Sequence, residues 1–144
     1  MRGRDGLGFD PRVVSDRLAV LEENLRLLLP FAELDLTTYL GDPRNYGAAE
    51  RFLQLAIEAV FDIGTHCIST LKLPKPLTYG DILPSLAQAG LISHDTRAEL
   101  EGLAGFRNLL VHEYIRLDRA RIHAFLATHL GGLRRFAADI ARSA

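Results

Sequence analysis

Residues 48–71 read AAERFLQLAIEAVFDIGTHCISTL, and their apolar side chains recur at the spacing of three and four that is typical of an amphipathic helix. The stripe comprises Phe52, Leu55, Ala56, Ala59, Val60, Ile63 and Ile68. The segment KLPKP follows at residues 72–76, and its prolines cannot continue a helix. We therefore predict a long helix from Ala48 to about Leu71.

Upstream of this helix, a second apolar stripe predicts another long helix, from about Pro11 to Leu29. The stripe consists of Val14, Leu18, Leu21, Leu25 and Leu28. Asp10 is placed to cap it, and Pro30 should end or kink it. A shorter apolar piece then leads to the turn-rich stretch GDPRN at residues 41–45, which should separate the two long helices.

Downstream, the pattern predicts two further main helices. A short helix capped by Thr78 or Asp81 should stop at Gly90. Ser93 should open the next helix, and the last should begin near Asp118, with a weak point at Gly131–Gly132. No segment alternates regularly enough to predict a strand. The expected fold is all-α: an up-and-down bundle of four main helices with short helices in the connections.

Length and composition predict one folded domain. The chain has 144 residues, of which 48% are hydrophobic and 24% charged. We expect residues 1–10 to form a flexible segment and residues 11–144 a single domain. No apolar run approaches the ~20 residues of a membrane span, and the N-terminus lacks the apolar stretch of a signal peptide, so we expect a cytoplasmic protein. A single cysteine, Cys67, excludes an internal disulfide and a cysteine-rich zinc site.

Charge is distributed unevenly along the chain. The formal net charge is −5 over residues 1–106 and +4 over residues 107–144. Arginines 116, 119, 121, 134 and 135 could extend an electrostatic path for RNA, although a solvated surface is the simpler interpretation.

Residues 105–114 read GFRNLLVHEY and place polar side chains on one side of a helix. At ~100° per residue, Phe106 and Leu110 share an apolar face, while Asn108 and His112 point to the opposite side as an i, i+4 pair. Arg107 lies near the apolar edge, and its long side chain could reach a phosphate close to the His112 imidazole. Arginine, asparagine and histidine could therefore line one site.

This segment resembles the Arg-x4-His-x-Tyr signature of HEPN-domain proteins, and specifically of the HepT toxin family. The resemblance extends to residues 50–59 and to the segment YGDIL at residues 79–83, and it covers about residues 11–140. It implies a homodimeric HEPN bundle that cleaves RNA without a metal or other cofactor. Arg107 and His112 would be catalytic at a site shared by two subunits, and Asn108 would orient the substrate or the imidazole.

The resemblance also implies a regulatory partner. In HepT-like toxins a minimal nucleotidyltransferase antitoxin attaches AMP to the tyrosine of the motif, here Tyr114, and the added negative charge would repel an RNA phosphate. The rival hypothesis is a catalytically silent module that dimerises and only docks a nucleotidyltransferase.

Three further positions are candidates for flanking the site: Asp62, Gly105 and Arg116. Gly105 within a helix suggests close approach of another backbone or of RNA, or equally a packing glycine. Asp62 follows Glu58 and precedes His66 at i, i+4 spacing, which permits a metal hydrolase as a third hypothesis. A solvated or salt-bridged helix face is the simpler interpretation of those three residues, and we expect no metal site.

Overall fold

The computed structural model describes residues 10–112 and 118–143, and within these ranges it contains helices and no strand. The helices are α1 (Pro11–Ala32), α2 (Leu36–Gly41), α3 (Pro43–Thr70), a 3₁₀ helix (Tyr79–Asp81), α4 (Ile82–Gln88), α5 (His94–Glu99), α6 (Leu103–His112) and α7 (Arg119–Ser143). None of these helices combines the length and apolarity needed to cross a bilayer. The predicted flexibility of residues 1–10 falls almost wholly outside the described residues.

The predicted all-α bundle is confirmed, with α1, α3, α6 and α7 as its main helices. The backbone N–H of Asp10 donates to Nε2 of His66 over 3.1 Å, and the rings of Phe31 and Phe52 lie 6.2 Å apart. Because the start of α1 meets the end of α3, and the end of α1 meets the first half of α3, the two helices are antiparallel. The core is continuous, and α3 contributes its largest share of buried apolar residues.

Pro30 does not end α1, contrary to the expected boundary near Leu29. The helix continues through Pro30 to Ala32. Proline removes one backbone hydrogen bond, but Phe31 and Ala32 beyond it pack against the core and offset that loss.

The stretch GDPRN begins α3 instead of separating two helices as a loop. The Asp42 carboxylate accepts a hydrogen bond from the backbone N–H of Arg44 over 2.9 Å, and Pro43 occupies the first helical position. Aspartate followed by proline is a favourable helix start, because the proline needs no intrahelical donor there. The predicted start at Ala48 was therefore five residues late.

The single helix predicted to open at Ser93, before the last helix, is two helices, α5 and α6. Gly102 between them has a φ of +86°, which ends helical geometry. Gly132 on α7 explains how this corner packs: a Cβ there would lie only 3.0 Å from Cδ2 of Leu100. The helix α7 is unbroken at this point. Gly132, which the sequence predicts to be a weak point, is thus a position where α7 packs closely against Leu100.

Asp139 holds the start of α5 against α7. Its buried carboxylate accepts hydrogen bonds from the Ser93 backbone N–H over 3.0 Å and the Thr96 hydroxyl over 2.7 Å, and it also pairs with Arg142. Burial raises the pKa of this carboxyl, but the hydrogen bonds from Ser93, Thr96 and Arg142 outweigh it and hold the pKa below the ordinary value of 3.8.

We expect Asp139→Ala to lower the free energy of unfolding by about 1–3 kcal/mol, because it leaves buried donors unpaired. Since the native pKa is depressed, the carboxylate's contribution is complete above pH ~4 and is lost as pH falls below the unfolded-state value. Urea denaturation of both proteins between pH 3 and 7 measures this. Asp16→Ala, an exposed aspartate on α1, is the control and should change stability by less than ~0.5 kcal/mol. A difference between Asp139→Ala and wild type that grows toward low pH would contradict the assignment.

Candidate functional site

The phase predicted for the motif helix is confirmed for its described side chains, from Leu103 to Leu110. On α6, Leu103, Phe106 and Leu110 are buried in the core, whereas Asn108 is exposed and Arg107 is half-buried at the edge of the apolar face. The sequence motif therefore presents Arg107 and Asn108 outside the core, on a helix whose opposite face fixes it to the bundle.

Arg107 is held in a defined position by two neighbours. Its guanidinium carbon lies 4.6 Å from the centre of the Tyr79 ring, and Nη1 donates to Oδ1 of Asn108 over 3.3 Å. Its Nε is buried and has no hydrogen-bond partner in the described part of the chain. Stacking on an aromatic face orients a guanidinium and leaves its N–H edge free for a planar anion. The predicted proximity of Arg107 and Asn108 is thus a direct contact.

Tyr79 is the residue of this site that sequence reasoning missed. It begins the 3₁₀ helix, which is closed by a capping box between Thr78 and Asp81, and its ring is 5.1 Å from that of Phe61 on α3. The segment YGDIL carried part of the family resemblance, but its spacing along the chain gave no sign that Tyr79 lies under Arg107. Only the packing of α4 and the 3₁₀ helix against α3 and α6 reveals it.

Gly64 on α3 makes that packing possible. A Cβ at Gly64 would lie 2.5 Å from Cγ2 of Ile82, the first residue of α4. The absence of a side chain lets α4 approach α3 closely, which places the preceding 3₁₀ helix, and with it Tyr79, beside Phe61.

Gly105 lies on the boundary of a cavity of about 350 Å³ that Tyr79 also lines. A Cβ at Gly105 would meet no atom within 4 Å among the described residues. The packing-glycine interpretation therefore has no neighbour to support it within the described chain, whereas space for an external molecule is present.

Two predicted site residues, and the side chain of a third, lie outside what the structure describes. His112 ends α6, and its side chain is not among the described ones. Tyr114 and Arg116 fall in residues 113–117, between the described ranges. Their roles remain predictions from the motif.

Asp62 of α3 forms an ion pair with α1. Its carboxylate lies 3.7 Å from Nη1 of Arg17 on α1, and both side chains are about half exposed. Glu58 accepts a hydrogen bond from Gln54, and His66 accepts one from the Asp10 backbone. Across residues 10–112 and 118–143, no three potential metal ligands are grouped as an ion would require.

Two of the five arginines that could extend a path for RNA are paired with glutamates inside the protein. Nε of Arg119 lies 3.0 Å from Oε2 of the buried Glu50, and Arg135 pairs with Glu99 over 2.9 Å. Burial raises the pKa of the Glu50 carboxyl, and the Arg119 charge opposes that rise. Arg119 thus links the start of α7 to α3 through this ion pair. Its guanidinium carbon also lies 4.4 Å from the centre of the Tyr46 ring.

Comparison with known proteins identifies the family to which the chain is similar. The family model described as Ribonuclease HepT-like matches residues 21–140. Over 110 residues, which are 76% of this chain and 75% of the relative, the protein is 30% identical to the tRNA nuclease HepT of Aphanizomenon flos-aquae.

Solved structures share the fold. The cytosolic protein of unknown function YutE from Bacillus subtilis superposes with a TM-score of 0.80 at 23% identity, covering 93% of this chain and 90% of that one. The tri-AMPylated HEPN toxin of Shewanella oneidensis, solved in complex with the MNT antitoxin, superposes with a TM-score of 0.79 at 23% identity, covering 90% and 97%. The predicted HEPN fold is therefore confirmed, and because the family model spans most of the sequence, the chain belongs to the Ribonuclease HepT-like family.

Proposed function

We propose that this protein is the endoribonuclease toxin of a toxin–antitoxin pair, acting in the cytoplasm, and that Arg107 and His112 carry out the cleavage. The observation that carries the proposal is the position of Arg107: its guanidinium is stacked on Tyr79 beside Asn108, on the helix that ends at His112. The nuclease named among its relatives supports the same reaction class.

The chemistry follows from these side-chain types. A guanidinium holds the scissile phosphate and stabilises the additional negative charge of the transition state. An imidazole titrates near neutral pH, so His112 moves a proton to or from a ribose hydroxyl or the departing oxygen. Asn108, hydrogen-bonded to Arg107, orients the guanidinium or the substrate. Arginine and histidine together supply charge stabilisation and proton transfer, so the proposed reaction needs no metal ion.

The proposed site is completed by a second copy of the chain. Arg107 and His112 of one protomer meet those of its partner at the interface of a homodimer, in the arrangement implied by the family resemblance. Each protomer alone then presents half of the catalytic groups. The silent docking module is the rival function, and it predicts dimerisation and antitoxin binding without cleavage.

The proposed antitoxin is a minimal nucleotidyltransferase that adds AMP to Tyr114. The fold shared with the tri-AMPylated toxin in the Shewanella oneidensis complex supports a partner of this kind. An adenylyl group two residues beyond His112 adds a negative phosphate and a bulky base near the RNA phosphate, and both oppose substrate binding.

Replacing either catalytic group should abolish cleavage. We expect His112→Ala and Arg107→Ala each to lower the rate of RNA cleavage by at least ~10²-fold, because proton transfer and phosphate stabilisation each contribute on that order. Arg107→Ala should also cost up to ~1 kcal/mol of stability through the lost stacking on Tyr79. A cleavage assay with purified protein, with and without EDTA, and a thermal melt measure both effects.

Arg26→Ala, an exposed arginine on α1, is the matched control and should cut RNA at the wild-type rate. Wild-type cleavage by His112→Ala would refute the mechanism. Loss of the wild-type activity in EDTA, restored by a divalent cation, would favour the metal hydrolase built on Asp62 and His66.

Mixing two inactive variants tests the shared site. After subunit exchange, Arg107→Ala and His112→Ala should together recover part of the wild-type activity, because a mixed dimer still brings one Arg107 and one His112 to the shared site. No recovery despite exchange verified by native mass spectrometry, or full activity in a protein that sediments as a monomer, would show that one chain suffices.

Tyr114→Phe tests the regulatory role. The variant keeps the ring but loses the oxygen that accepts AMP, so it should remain toxic when the antitoxin is co-expressed. Intact-mass analysis should show AMP addition on the wild type and none at residue 114 of the variant. Complete neutralisation of Tyr114→Phe by the antitoxin would replace covalent control with simple occlusion.

A further inference from the structure

The cavity bounded by Gly105 and Tyr79 has the dimensions of a small-ligand site. It lies where the 3₁₀ helix, α4 and the corner between α5 and α6 meet, and its volume of about 350 Å³ falls within the ~300–1,000 Å³ range of ligand pockets. Leu83, Leu100 and Leu103 provide an apolar lining. A flat, largely apolar group fits such a space.

Two side chains of opposite charge border the same cavity. Arg97 is in the last turn of α5 and Glu101 follows four residues later, and both are exposed. Neither side chain forms an ion pair or hydrogen bond with another described residue. Glu99, which lies between them in the sequence, is by contrast paired with Arg135 at 2.9 Å. The cavity thus offers one donor group and one acceptor group to whatever enters it.

Tyr79 connects this cavity to the proposed catalytic arginine. Tyr79 lines the cavity, and its ring centre also lies 4.6 Å from the Arg107 guanidinium. A phosphate held by Arg107 would therefore lie close to a residue that also borders the cavity. Because single-stranded RNA is read by bases that are splayed out of the stack into apolar pockets, a base adjoining that phosphate can enter here.

We propose that this cavity is the nucleobase subsite of the enzyme and that it selects guanine. The proposal rests on the proposed RNA cleavage and specifies its substrate. Guanine presents two adjacent N–H donors, at N1 and N2, which match the two oxygens of the Glu101 carboxylate. It also presents the O6 and N7 acceptors, which match the donors of Arg97. Adenine, cytosine and uracil each offer the carboxylate a single donor group on that edge.

This assignment gives Gly105 a role. A side chain at residue 105 would occupy space that is empty in the described protein and adjoins the cavity. A glycine there keeps open the side of the cavity that lies next to α6, two residues before Arg107.

The four nucleoside 3′,5′-bisphosphates are suitable probes, because they carry a phosphate on both the 3′ and the 5′ oxygen of the ribose and contain no phosphodiester bond for a ribonuclease to cut. Isothermal titration of the full-length protein should show that the guanosine compound binds at least tenfold more tightly than the uridine compound, as a bidentate base contact typically provides. Glu101→Gln should reduce that preference to about twofold, because it weakens binding of the guanosine compound more than that of the uridine compound. Glu22→Gln, an exposed glutamate on α1, is the control and should retain the preference.

Equal binding of the four compounds by the wild type, or an unchanged preference in Glu101→Gln, would overturn the subsite. The subsite would also be overturned if no compound binds and Glu101→Gln alters only dimer sedimentation or antitoxin binding. The cavity would then be a protein interface. A parallel cleavage assay separates the two proposals. Guanosine-selective binding without RNA cleavage would refute the ribonuclease alone, and cleavage with no base-selective binding would refute the subsite alone.

Discussion

The close approach of α4 to α3 at Gly64 is the contact on which the candidate site depends. Ile82 occupies the space that any side chain at Gly64 would need. That approach carries the 3₁₀ helix into contact with Phe61, so that the Tyr79 ring becomes the surface on which Arg107 stacks. A change at the interface between α3 and α4, remote from the motif in sequence, would therefore displace the proposed catalytic guanidinium.

The helices α6 and α7 are held to the rest of the bundle by different kinds of interaction. On the α6 side, burial of Leu103, Phe106 and Leu110 holds the helix chiefly by apolar contact. On the α7 side, the buried pair of Glu50 and Arg119 is a charge contact, and removal of either partner would leave the other charge uncompensated in a partly dry environment. The two described helices on either side of residues 113–117 are thus both held to α3 or to the core around it.

The two proposals divide the work between neighbouring surfaces. Arg107 and Asn108 on α6 would hold the phosphate, while Arg97 and Glu101 at the corner between α5 and α6 would recognise the base. Asp139 acts on the proposed base site from a distance, because it fixes the start of α5 to α7 and so helps to position that corner. Stability of this corner and recognition of substrate are therefore linked through one buried carboxylate.

The sequence by itself determined the helical class, the main helices, the apolar phase of α6 and the motif that marks Arg107, Asn108, His112 and Tyr114, because these depend on local periodicity and spacing. It misplaced the boundaries at Pro30, at GDPRN and at Gly102, where packing or capping outweighed local propensity. Only the tertiary structure decided that Tyr79 lies under Arg107, that Arg119 is paired inside the protein, and that Arg97 and Glu101 border one cavity with Gly105. These contacts join different helices, and their distances follow from how closely the helices pack, which no single stretch of sequence encodes.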